Sequence, residues 1–154
     1  METIQELASE DSLVDYAESL ARHLFKNIYR KTGLPYTTAH LERMAITADD
    51  ILTTTDYRDS ALAAAWLHDA VEDISFIDVY HPFRESPSDP HKTYLNTLLK
   101  PAGINGRFAS YFVNRLTHRS GIPYFDYIMK IFTFDHNATH PDTKVVAAVL
   151  KLID

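Results

Sequence analysis

Residues 63–73 read AAAWLHDAVED, and four ionisable residues, His68, Asp69, Glu72 and Asp73, stand directly behind the apolar run. Ionisable groups beside so apolar a stretch are costly to bury unless something binds them. A His-Asp pair alone carries little information; its apolar setting is what raises its value. On a helix, residues four apart share a face, so Glu72 is expected below His68 and Asp73 below Asp69. Carboxylates four apart on one buried face repel each other. A divalent cation converts that repulsion into binding, and it acidifies water and neutralises phosphoryl charge, as a hydrolase requires. Glu72 and Asp73, one turn past the donors, are candidates to orient or deprotonate that water.

Two further donors lie far away in the sequence. His40 opens a helix whose apolar stripe faces inward, and Asp154 ends a mostly apolar helix on the face of Ala147 and Leu150. His40, His68, Asp69 and Asp154 together offer two imidazoles and two carboxylates. That mix suits Mn²⁺, Fe²⁺ or Mg²⁺, with water at the open positions.

The elements that must position these donors are helical. The first helix is expected from Ser12, with Asp15 as its capping partner, and carries Leu13, Tyr16, Ala17, Leu20, Leu24 and Ile28 at helical spacing. It is expected to stop at RKTGLP, where Gly33 and Pro35 end it, which puts Arg30 and Lys31 in its last turn. The second runs from about Thr38 to Thr54 with a stripe of Leu41, Met44, Ala45, Ala48, Ile51 and Leu52. The third, from about Tyr57 to Asp73, is apolar all round and so should be central. Residues 74–93 include HPFRESPSDPHKT and read as a long loop. A short helix around Tyr94–Leu99 is followed by one from about Asn105 to His118, burying Phe108, Tyr111, Phe112 and Leu116. Pro123 suits the first position of a helix with Tyr124, Tyr127 and Phe132 as core, and Pro141 opens the last helix. With no alternation, hairpin signal or repeat, the expectation is one all-α domain over 1–154 with about seven helices.

Composition removes several classes of function. The chain has 154 residues and no Cys, which excludes disulfides, zinc thiolate sites and thiol catalysis. A net charge of −6 without a basic run argues against a nucleic-acid duplex as partner. The N-terminus lacks an apolar signal core, and runs such as ALAAAWL are too short to span a bilayer. A cytoplasmic protein with no membrane partner is expected; its oligomeric state is left open.

The order His40, His68-Asp69, Asp154 resembles the HD superfamily of metal-dependent phosphohydrolases. The wording is closest to the hydrolase domain of the RelA/SpoT alarmone enzymes and their small stand-alone relatives. RKTGLPYTTAH is similar to the segment preceding the first metal His, AAAWLHDAVED to the helix bearing the HD pair, and VNRLTHRSGIPYFDYIMKI to the later helices. VVAAVLKLID is similar to the helix that ends on the last metal ligand. The likeness covers roughly residues 22 to 154 and implies an HD-type helical bundle. It implies His40, His68, Asp69 and Asp154 as ligands, usually of Mn²⁺, with Fe²⁺, Mg²⁺ and Zn²⁺ as alternatives. Glu72 and Asp73 become the catalytic acidic pair, and Arg30, Lys31 and Thr32 the contacts to a nucleotide. The reaction implied is hydrolysis of the 3′-pyrophosphate of ppGpp or pppGpp. Family members continue past the last Asp, so a C-terminally truncated domain is expected. Other readings stay open at this point: a nucleotidase or phosphodiesterase on another nucleotide, or a non-catalytic nucleotide-binding regulatory module.

Overall fold

A computed structural model describes residues 12–74, 77–78, 93–133 and 140–154. Helix α1 (Leu13–Leu24) starts behind Ser12, whose hydroxyl accepts from the Asp15 backbone N–H at 3.2 Å and donates to the Asp15 carboxylate at 2.8 Å. This is the local capping the sequence predicts. The helix ends well before the expected stop, because Phe25 is 1% exposed and its ring stacks on Tyr36 with centroids 5.3 Å apart. Burying that ring takes the chain out of the helix. Residues 29–35 then reverse direction: Arg30 N–H donates to the Leu34 carbonyl at 2.9 Å and Gly33 N–H to the Arg30 carbonyl at 2.8 Å. Gly33 takes a φ of 84°, which glycine adopts without strain. Arg30 and Lys31 therefore stand on this reversal, and the last turn of α1 carries Arg22 and His23 instead.

One π turn (Thr37–Leu41) leads into α2 (Glu42–Leu52). π turns are rare and concentrate at functional positions; this one carries His40. Met44, Ala45, Ala48 and Leu52 are buried as expected, whereas Ile51 lies at the edge of the stripe and is exposed.

Helix α3 (Arg58–Leu67) is central: every residue from Ser60 to Leu67 is buried, and it packs on α1, α2 and α6. Ala61, Ala63, Ala64 and Ala65 have no exposed surface, so neighbouring backbones approach closely. The buried hydroxyl of Ser60 donates to the Asn105 carbonyl at 2.9 Å, as a buried polar group must. The helix does not run on to Asp73. It breaks at His68 and Asp69, and a separate turn, α4 (Ala70–Asp73), follows.

Strands β1 (Ile77–Asp78) and β2 (Thr93–Tyr94) pair in parallel over two residues, too short a contact to leave an alternation in the sequence. The rest of the proline-rich stretch expected as a loop lies outside the described residues. Helix α5 (Leu95–Leu99) passes through a 3₁₀ turn (Lys100–Ala102) into α6 (Gly103–Leu116), which buries Phe108, Tyr111, Phe112 and Leu116 as the spacing predicts. Gly106 lies where α6 meets the end of α5; a Cβ there would be 2.0 Å from the Leu99 carbonyl oxygen.

Helices α7 (Tyr124–Phe132) and α8 (Pro141–Ile153) complete the structure, α8 packing on α2, α3, α6 and α7. Of the α7 aromatics only Tyr127 is fully buried; Tyr124, in the first turn, is 60% exposed and does not belong to the core. The all-α class holds: among the described residues, six helices of nine residues or more account for most of the regular structure. Among the described residues, no helix is long and apolar enough to cross a membrane.

Candidate metal centre

Three elements bring the predicted donors together. His40 comes from the π turn, His68 and Asp69 from the break after α3, and Asp154 from the end of α8. The Nε2 atoms of His40 and His68 are 3.1 Å apart. Asp69 Oδ2 lies 3.1 Å from His40 Nε2 and 2.9 Å from His68 Nε2. Asp154 Oδ1 lies 3.4 Å and 3.2 Å from the same two nitrogens. The side chain of Asp154 is only 16% exposed although it ends the chain. His40, His68 and Asp154 form a group that could hold a metal ion, and Asp69 adds an oxygen in contact with both imidazoles.

Groups outside the donor set hold three of these side chains in place. His68 Nδ1 lies 2.9 Å from the Ala65 carbonyl. A carbonyl only accepts, so Nδ1 carries the hydrogen and Nε2 faces the site. Tyr36 donates its hydroxyl to Asp69 Oδ2 at 2.5 Å, and Lys151 Nζ stands 2.5 Å from Asp154 Oδ2. Partners of this kind orient metal ligands and raise their affinity.

The electrostatics describe a cluster that seeks positive charge. Burial opposes protonation of His68, but its bonds to Asp154 and Asp69 outweigh burial and lift its pKa to about 10. His40 is raised as well, first by Asp154 and then by Asp69. Burial alone would raise both carboxyls. The two imidazoles overcome it and hold Asp69 and Asp154 well below the usual carboxylate range, with further help from Tyr36 and Lys151 respectively.

The donor spacing also fits an ion. A divalent cation at about 2.1 Å from N and O ligands separates adjacent donors by roughly 3.0 Å in an octahedron and 3.4 Å in a tetrahedron. The separations of the two imidazole nitrogens from each other and from each carboxylate oxygen, 2.9–3.4 Å, lie in or next to that range, and His40, His68 and Asp154 are the three whose donor atoms all lie within 4.8 Å of one another.

The remaining predicted residues are divided. Arg30 and Thr32 line a cavity of about 430 Å³ together with His40 and Asp154, and the Arg30 guanidinium lies 5.9 Å from the Tyr36 ring centre. Lys31 is exposed on the same reversal. Glu72 and Asp73 are both exposed on α4. Glu72 turns to the end of α6 and accepts from the His118 backbone N–H, instead of stacking below His68. Asp73 is raised by partial burial and then by its acidic neighbours Asp69 and Glu72.

Sequence reasoning missed Tyr36, Lys151, and the cavity residues Arg43 and Thr47. Lys151 stands three positions before Asp154, one helical turn away, and that spacing was the available signal, whereas Tyr36 reaches Asp69 across 33 positions. No family model, no curated protein and no solved structure matches this chain.

Proposed function

We propose that the chain is a metal-dependent phosphohydrolase acting on a guanosine polyphosphate, from which it removes the 3′-pyrophosphate. The observation that supports this reading is the convergence, from three separate elements, of two imidazole nitrogens 3.1 Å apart with one oxygen each of Asp69 and Asp154 lying 2.9–3.4 Å from both nitrogens. A divalent cation, Mn²⁺ by the resemblance, supplies Lewis acidity toward water and phosphoryl oxygen in such a site.

The chain's own residues supply the rest. His40, His68, Asp69 and Asp154 hold the ion. Asp73, with its raised carboxyl, accepts the proton of the attacking water; a base whose pKa is pushed toward neutrality suits that task. Glu72, tied to the His118 N–H, fixes α4 against α6 and so positions Asp73. Arg30 and Thr32, joined by Arg43 in the same cavity, hold phosphate and base, and a guanidinium can stack on a purine face.

The test is turnover by chelator-stripped protein with and without Mn²⁺, on ppGpp, nucleoside monophosphates and cyclic nucleotides. The reading expects Mn²⁺-dependent release of pyrophosphate from ppGpp. It also expects Asp73→Asn to lower kcat by about 10²–10⁴-fold while Mn²⁺ affinity is kept. Faster turnover of a monophosphate or cyclic nucleotide would replace the substrate but keep the hydrolase. Metal binding with no turnover of any substrate would remove the enzymatic reading.

A further inference from the structure

Helix α7 is apolar on two sides. Its inner side buries Tyr127 and Ile131 against Ala148 of α8. Its outer side shows Phe125, 72% exposed, and Met129, 49% exposed; Ile122, 43% exposed, stands just ahead of the helix. Residues 125, 129 and 132 follow a four-then-three spacing, so they form one stripe, with half-buried Phe132 at its far end. A helix that is apolar on both sides belongs between two layers, and exposed apolar side chains gathered in one patch mark an interaction surface.

The stripe stands on a fixed support. Arg115 of α6 donates to the Lys130 carbonyl at 2.7 Å and the Ile131 carbonyl at 3.3 Å, and Tyr127 donates its hydroxyl to the Leu116 carbonyl. Both ends of the helix are thus tied to α6, and docking on its outer side costs little ordering. Asp126 and Lys130 are exposed beside the stripe, one turn apart and on the same flank. When two copies of such a helix pack antiparallel about a two-fold axis, like flanks meet, and each residue faces the one equally far beyond the axis. An axis passing near Ile128 brings Asp126 of each copy to Lys130 of the other, and Phe125 of each toward Met129 of the other. In a parallel pair Asp126 would meet Asp126 and Lys130 would meet Lys130, which repel.

We propose that the outer side of α7 is a self-association surface: two copies of the chain pair antiparallel along it, with the apolar stripe at the centre and two Asp126–Lys130 ion pairs at the rim. The partner is a second copy because the order of charges along the flank is complementary to its own reverse. So few apolar side chains make a small contact beside the roughly 800 Å² per partner of a standard interface, and the dimer is accordingly weak, with a Kd of roughly 10–100 µM. This surface does not depend on the reaction at the metal centre.

The test is sedimentation equilibrium of the full chain from about 1 µM to about 1 mM, where a monomer–dimer equilibrium is expected. Phe125→Ser should weaken the dimer by about tenfold or more. Asp126→Lys and Lys130→Asp, made singly, each turn two attractive pairs into two repulsive ones and should weaken it by about tenfold; the double exchange should restore it to within about threefold. Thermal melts of all four variants check that they are folded. The proposal is overturned if the chain is monomeric at about 1 mM; a monomer that co-sediments with phosphatidylcholine vesicles would give the surface to lipid instead. It is equally overturned if Phe125→Ser leaves the dimer unchanged, or if the charge variants do not show loss in each single exchange and recovery in the double one.

Discussion

Replacing Tyr36 by Phe removes one oxygen atom and keeps the ring that stacks on Phe25. What is lost is the hydroxyl donated to Asp69 Oδ2 at 2.5 Å. A hydrogen bond to a charged acceptor contributes roughly 1.5–3 kcal/mol, and this pair is only part-buried, so the lower end applies. At about 2–4 °C per kcal/mol for a chain of this size, Tm of the metal-free protein should fall by roughly 3–6 °C. Removing the orienting partner of a metal ligand usually lowers affinity by about 10–100-fold. Here about tenfold is expected, because 1.4 kcal/mol corresponds to tenfold and a single bond of that size is removed. Mn²⁺ titration by calorimetry on chelator-stripped Tyr36→Phe, beside thermal melts of the same samples, reads both quantities. A lowered Tm with Mn²⁺ affinity within about twofold of the parent would make Tyr36 a purely structural residue and refute its role in positioning Asp69.

Gly106→Ala would ordinarily stabilise a helix interior by roughly 0.5–1 kcal/mol. Here the added carbon meets the Leu99 carbonyl oxygen at 2.0 Å, so a net loss of about 1–3 kcal/mol is expected as a lower urea midpoint; a higher midpoint would contradict the packing described. The pKa of His68 rises from 6.5 to about 10 in the metal-free fold. Its contribution to stability is therefore complete below pH 6.5 and is lost as pH rises through about 10. A metal ion needs the neutral imidazole, so binding near pH 7 expels that proton. Calorimetry in buffers of different ionisation enthalpy should register release of about one proton or more per ion; no buffer dependence would contradict the charge state assigned to the cluster.

Legibility in the sequence followed the range of the forces involved. Helix α3 was readable because a helix apolar on all sides has only one stable location, and Ser60 to Leu67 are indeed buried. The gathering of His40, His68 and Asp154 was readable for the converse reason: ionisable residues set behind an apolar run require a compensating partner, and His68 is 2% exposed. The end of α1 was not readable. No glycine or proline stands at residues 25–28, and the helix stops because Phe25 is drawn against Tyr36. The break at His68 and Asp69 likewise has no local breaker, and it defeated the four-residue spacing that placed Glu72 under His68. The bond from Tyr36 to Asp69 spans 33 positions, beyond anything local periodicity records.

The central claim is that His40, His68, Asp69 and Asp154 share one divalent ion. Anomalous diffraction from Mn²⁺-loaded crystals tests it most directly. The account predicts a single strong peak per chain, about 2.0–2.2 Å from both Nε2 atoms and from one oxygen of each carboxylate. A peak elsewhere on the chain, or no peak at saturating Mn²⁺, would contradict it.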